Sequence, residues 1–223
     1  MRSKAKSNLK VNHLVVLTLA FFSLISWFVS TTTQASSPIM VTTAADNGNN
    51  ANPTPGSLRE AIITANNTVG TDTINFSIGT GAQTILPPSA LPAITGPVII
   101  DGTTQPGYAG APLIELDGTG AGAGAHGLNI TAGNSTVRAL VINRFNGNGI
   151  NINTAGSNSI TGCYIGTNAA GTAGLNNNQN GIQIRGNGSN TIGGTTAAAR
   201  NVISGNNNHG IRIQSPANVV QGN

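Results

Sequence analysis

The sequence predicts an all-β chain folded as a parallel β-helix, a solenoid of short strands, with a short capping helix near its N-terminus. Three observations predict it. A Gly-Ile-x-Ile tetrapeptide with a polar residue before it recurs at Gly127, Gly149, Gly181 and Gly210, at spacings of 22, 32 and 29 residues. A second short apolar segment follows each copy. The spacers between them are rich in Gly, Asn, Ser and Thr and show no helical period from Gly127 to Asn223. Strands that recur at 20–50 residues mark stacked repeats, because one repeat cannot bury its own apolar stripe. Parallel strands usually need a helical crossover. Polar, Gly-rich spacers point instead to a crossover that is the rest of a coil. A sandwich of hairpins is the competing all-β arrangement. Constant strand motifs with variable spacing fit stacked rungs better.

Residues 1–35 are set apart by composition. Arg2, Lys4, Lys6 and Lys10 precede an apolar run from Leu14 to Val29, and Thr33-Gln34-Ala35 offers a small-residue cleavage site. This is the pattern of a secretory signal peptide, and no membrane span is expected after its removal. The whole chain holds ten Lys and Arg against six Asp and Glu. Past residue 35 the bases are Arg59, Arg138, Arg144, Arg185, Arg200 and Arg212, and the acids are Asp46, Glu60, Asp72, Asp101, Glu115 and Asp117. The charges cancel and no lysine remains. The basic character of the full chain therefore carries no expectation of nucleic acid or anionic lipid as a partner.

Residues 36–96 form an N-terminal cap module with the first strands. Met40 to Thr43 is a strand, and Ala44 to Pro55 a polar loop. Ser57-Leu58-Arg59-Glu60 is a capping box. Leu58, Ala61, Ile62 and Ala65 then fall on one helical face. The structural cap is thus Ser57, Leu58, Glu60, Ala61 and Ile62, placed to cover the first rung and its strand edge. Thr73 to Ile78, Thr84 to Leu86, Pro97 to Asp101 and Leu113 to Asp117 read as strands.

Residues 97–223 hold the repeats. Alternation places Leu128, Ile130, Ile150, Ile152, Ile182, Ile184, Ile211 and Ile213 inside. It places Asn129, Asn151, Gln183 and Arg212 outside as a stacked polar stripe. The second strands are Val137 to Ile142, Ile160 to Ile165, Ile192 with Val202-Ile203, and Val219-Val220. The frame Asn158, Ile160, Gly162, Ile165 restarts at Asn218, Val220, Gly222, two rungs on. The chain stops at Asn223 within a frame, so a truncated chain lacking C-terminal repeats or an anchor domain is expected.

The segment Pro55-Gly56-Ser57-Leu58-Arg59-Glu60-Ala61-Ile62, with Ala65-Asn66 and Asp72-Thr73-Ile74-Asn75-Phe76, resembles the CSLREAI-type domain of bacterial secreted and surface proteins. Ile99 to Tyr108 and Asn201 to Asn206 are similar to those proteins too. The resemblance implies a single-stranded right-handed parallel β-helix of pectin-lyase-like type behind the cap. It brings no catalytic residues. The family's usual Cys is Gly56 here, so no thiol role carries over.

The β-helix fold also hosts lyases and hydrolases of polysaccharides, and fold alone does not decide activity. Glycoside hydrolysis needs two carboxyl groups, and a calcium-dependent lyase needs carboxylates around the cation. From Gly118 to Asn223 there is neither Asp nor Glu. Asp101, Glu115 and Asp117 are the one acidic cluster, and Asp101 and Asp117 each precede a Gly as turn residues do. His126 and His209 share their slot with Asn148 and Asn180, which makes it a turn or side-chain ladder position. Cys163 stands where Leu140 and Asn223 stand in the same frame, a small buried hydrophobe. No catalytic residue, cofactor or metal is expected. The expected function is a non-catalytic secreted or cell-surface scaffold, an adhesin-like stalk of a larger bacterial protein, with a polysaccharide or cell-surface component as partner. The alternative is a polysaccharide-active enzyme or binding module whose active groups lie in rungs absent from this chain.

Overall fold

A computed structural model describes residues 37–223, so the signal-peptide expectation for residues 1–35 lies outside the described residues. Strand β1 (Ile39–Val41) is followed by helix α1 (Leu58–Asn67). Then come β2 (Asp72–Phe76), β3 (Gln83–Ile85), β4 (Val98–Asp101), β5 (Ile114–Asp117) and β6 (Leu128–Ile130). The repeats supply β7 (Thr136–Arg138), β8 (Leu140–Asn143), β9 (Ile150–Ile152), β10 (Ser159–Thr161), β11 (Tyr164–Ile165) and β12 (Ile182–Ile184). Last are β13 (Thr191–Gly193), β14 (Val202–Ile203), β15 (Ile211–Ile213) and β16 (Val219–Gln221).

These strands form three sheets. The first runs β1-β2-β4-β7-β10-β13-β16, the second β14-β11-β8-β5-β3, the third β15-β12-β9-β6. Each strand pair in them is parallel. From β4 onward the chain visits first, second and third sheet in turn, then returns beside its previous strand. In the coil before, Ile94 takes the third-sheet place through a bridge to Ile130. This order matches a β-solenoid and leaves no place for stacked hairpins.

The register follows the repeat. Leu128, Ile150, Ile182 and Ile211 are successive partners, and so are Ile130, Ile152, Ile184 and Ile213. Leu128, Ile130, Ile150, Ile152, Ile182 and Ile184 join one apolar core with Ile74, Ile100, Val137, Ile160 and Ile192. Burying each such side chain contributes about 1.5–3 kcal/mol. The core expectation fails at the last strand. Ile211 is only half-buried and Ile213 is 43% exposed. The cause is that β15 is an edge strand with no rung stacked beyond it.

The segments Val137 to Ile142 and Ile160 to Ile165 are each two strands in two sheets, not one. Ala139 (φ 55°) and Gly162 (φ 62°) turn the chain between them. One coil earlier the same place is Gly102. A Cβ there would lie 2.0 Å from the Ala139 oxygen, so only glycine fits beneath the bend.

At the N-terminus, α1 packs on β1 and β2 through Leu58, Ala61, Ile62 and Ala65, which belong to the same core. Ser57 Oγ accepts from the Glu60 N–H, and Glu60 Oε2 accepts from the Gly56 N–H at 2.6 Å. Among the described residues no helix is long and apolar enough to cross a membrane.

Candidate functional site

Chemistry in this chain would have to come from its few charged groups, so each carboxylate can be followed to its partners. Asp46 and Arg59 form a buried, two-pronged ion pair, Nε to Oδ1 at 2.7 Å and Nη2 to Oδ2 at 2.9 Å. The Asp46 and Arg59 side chains are 1% and 0% exposed, respectively. The rest of the guanidinium donates to Asn50 Oδ1 and to the Ala90 and Ser89 carbonyls. Five bonds satisfy a buried charge that would otherwise be very costly. From the sequence alone Arg59 is only a member of the capping box. Its pairing spans loops that no local pattern connects. Glu60 is occupied in the cap, and Asp72 accepts from the Thr68 hydroxyl. Glu115 accepts from Thr84 Oγ1 and Asn143 Nδ2.

Asp101 and Asp117 share one construction. Each begins an Asp-Gly-Thr triplet and caps a short 3-10 turn, Gly102–Thr104 and Gly118–Gly120. Each takes the N–H and the hydroxyl of its Thr, Thr103 or Thr119. Each is bridged by an arginine from the next coil, Arg138 or Arg144. Burial opposes ionisation of Asp101, but hydrogen bonds from Arg138 and Thr103 outweigh it and hold its pKa below the ordinary value. For Asp117 burial is likewise outweighed, by the bonds from Thr119 and Arg144. Such carboxylates stay ionised at neutral pH and are poor proton donors.

The neutral polar residues are used in ladders. At the turn into the first sheet, the Ser135 N–H donates to Asn158 Oδ1, Asn158 to Asn190 Oδ1 and Asn190 to Asn218 Oδ1. At the turn into the second, the Cys163 N–H donates to Asn201 Oδ1 and Asn201 to Asn223 Oδ1. Between second and third sheets, Phe145 donates to Asn177 Oδ1, and Asn177 Nδ2 to Asn206 Oδ1. Entering the third sheet, the Asn148 N–H donates to His126 Nδ1, Asn180 to Asn148 Oδ1 and His209 to Asn180 Oδ1. The shared His/Asn slot is therefore a ladder. Burial, helped by the charge of Arg185, lowers the His126 pKa. The neutral ring leaves Nδ1 free to accept.

The expected surface stripe is not a continuous surface. Asn129 is half-buried and Arg212 exposed, but Asn151 and Gln183 are buried. Asn151 Nδ2 donates to Asn129 Oδ1, while Gln183 accepts from Asn180 and donates to Gln214. Asn151 is thus paired with the in-register amide of Asn129, whereas Gln183 is bonded off register, to Asn180 and Gln214 rather than to Asn151 or Arg212. Cys163 is buried, and burial pushes its thiol up to about 12. It stays protonated and inert.

Two open grooves follow the two Asp-Gly-Thr corners. One, about 390 Å³, is lined by Thr119, Arg144, Asn146, Asn176 and Asn178 among others. The second, about 320 Å³, has Tyr108, Arg138, Thr161 and Thr196 in its lining. None of these is among the site residues expected from the sequence. The doubled Asp-Gly-Thr triplet was the available signal, together with the presence of only four aromatics past residue 35.

Among the described residues no group of three or more His, Cys, Asp or Glu could hold a metal ion. No protein-family model matches the sequence, and no curated protein matches it.

Proposed function

We propose that the chain is a non-catalytic scaffold, a single right-handed parallel β-helix that serves as an adhesin-like or stalk module of a larger bacterial protein, secreted or held at the cell surface. One observation carries this reading. The six carboxylates past residue 35 all have structural partners: Arg59 for Asp46, the helix cap for Glu60, Thr68 for Asp72, Arg138 for Asp101, Thr84 and Asn143 for Glu115, Arg144 for Asp117. Glycoside hydrolysis needs one protonated and one ionised carboxyl flanking the scissile bond. Asp101 and Asp117, held low, suit only the ionised role.

Right-handed winding is supported by the strong preference of parallel crossovers for that hand. Export is supported by the basic and apolar pattern of residues 2–29 and the small-residue site at Thr33 to Ala35. The surface role rests on the resemblance of Pro55 to Phe76 to the CSLREAI-type domain. The direct test is incubation of the purified protein with pectin, alginate and related polymers. The scaffold reading expects no new reducing ends and no unsaturated uronates. Depolymerisation that co-purifies with the folded protein and disappears on melting it contradicts the reading.

A further inference from the structure

The groove beside Asp101 has two fixed walls. Tyr108 belongs to one of them, on the loop after the 3-10 turn Gly102–Thr104. Gln105 pins that loop to the preceding coil: its buried amide accepts from the Ile78 N–H and donates to the Ile78 and Gly81 carbonyls. The Tyr108 N–H closes the turn on the Gln105 carbonyl. The opposite wall is the 3-10 turn Ala197–Ala199, which contributes the exposed Ala198 and the half-buried Ala199 together with Thr196. It is tied down where the Gly162 N–H donates to the Ala199 carbonyl. Thr103, Arg138, Ala139, Thr161 and Gly162 complete the lining.

The polar groups there fit a ligand rich in hydroxyls. The Nη2 of Arg138 is held by Asp101, which fixes the guanidinium. Among the described residues, the hydroxyls of Tyr108, Thr161 and Thr196 have no hydrogen-bond partner. Asp101 balances the charge of Arg138, and no other charged residue lines the groove. A neutral ligand is therefore favoured over an acid. The lining holds a tyrosine ring and alanine methyl groups, which can supply an apolar surface for the C–H side of a sugar ring, and the tyrosine adds a polar tip for its hydroxyls. About 320 Å³ lies at the small end of ligand-pocket volumes, in keeping with a single sugar unit.

We propose that this groove binds a neutral saccharide unit, stacked on Tyr108 and hydrogen-bonded by Arg138, Thr161 and Thr196. The proposal deepens the surface-scaffold reading and rests on it for the source of the sugar. Its failure would leave the polymer-degradation test untouched.

Saturation-transfer NMR on the purified protein tests it, with the methyl glycosides of glucose, galactose, mannose and N-acetylglucosamine as probes. Glucuronate serves as the acidic comparison. At least one neutral glycoside is expected to receive saturation at its ring protons, with a dissociation constant of about 1–10 mM, the range of a small weak ligand. Tyr108→Ala should weaken binding about tenfold, and Tyr108→Phe, which keeps the ring, no more than about threefold. Thr196→Val, on an exposed turn, provides a second variant should Tyr108→Ala fail to fold, with about threefold weakening expected. Arg144→Ala, in the other groove, should leave binding unchanged. The proposal is overturned if no neutral glycoside binds at about 50 mM. Unchanged affinity in the Tyr108→Ala or Thr196→Val protein overturns it too, as does tighter binding of glucuronate than of the neutral sugars.

Discussion

In the early coils, two corners are closed by Asp101 with Arg138 and by Asp117 with Arg144. From Asn148 onward the corresponding corners are closed by asparagine stacked on asparagine. The difference lies in what can be repeated. Strands in a sheet are about 4.8 Å apart, and identical side chains in register sit at that spacing. Two stacked carboxylates would repel by about 3 kcal/mol at an effective dielectric of about 20. An Asp–Arg pair closes one corner and then stops. Asparagine carries donor and acceptor together, so each copy can satisfy the next without accumulating charge. This repulsion keeps carboxylates out of the ladder slots, which after Asp117 hold no Asp or Glu.

The largest effect is expected in the middle of the stack. Ile182→Asp puts a charge where the residue is 0% exposed, between Ile150 and Ile211. It should abolish cooperative thermal unfolding, whereas Ile213→Asp, on the edge strand, should shift the melting temperature only slightly. A native-like melt for Ile182→Asp would refute the inward register.

The early region is best probed at its deepest charge. Arg59→Met leaves Asp46 buried without its cation and should cost about 3–5 kcal/mol in urea unfolding. A loss below about 1 kcal/mol would mean the pair contributes no more than an exposed one does.

In the later region, Asn190→Leu removes the oxygen that accepts from both the N–H and the Nδ2 of Asn158. Those buried donors lose their partner, at an expected cost of about 2–3 kcal/mol. Asn190→Ser, by analogy with Ser135 at the top of that ladder, should recover part of it.

The smallest effects are in the pH dependence, which separates the Asp–Arg corners from the His126 end of an asparagine ladder. The folded-state pKa values of Asp101 and Asp117 are lowered, so their stabilisation is complete above the unfolded value near 3.9 and is lost as pH falls below it. The His126 value is also lowered. Its contribution is complete above about pH 6.5, the unfolded value, and declines as pH falls through it. Melting temperature should therefore fall in two acid steps, and His126→Asn, the residue of the next two rungs, should remove the upper one. A variant that keeps both steps would detach the upper one from the ladder.

The recurrent Gly-Ile-x-Ile motif made the third sheet legible, because inward Ile and outward polar residues alternate with the period of a strand. The helix cap was legible from Ser57 and Glu60, whose partners are local. The bends at Ala139 and Gly162 were not, since a left-handed alanine has no sequence signature and the apolar run continues across it. Asn151 and Gln183 were misplaced because alternation tells which side of a strand a residue takes, not whether that side is covered. The groove at Tyr108 was invisible for another reason. It joins residues 103, 108, 138, 161 and 196, which only the stacking of coils brings together.

Amide hydrogen exchange at Ser135, Asn158 and Asn190 is the most direct test of whether stacked side chains hold the parallel sheets together. Their N–H groups donate to the Oδ1 of Asn158, Asn190 and Asn218, at 2.9, 3.0 and 3.1 Å. Protection as strong as that of the strand amides of Ile160 and Ile192 is expected, with Asn158 selectively deprotected in the Asn190→Leu protein. Exchange of all three as fast as the exposed loop amides of Ala169 and Ala170 would contradict it.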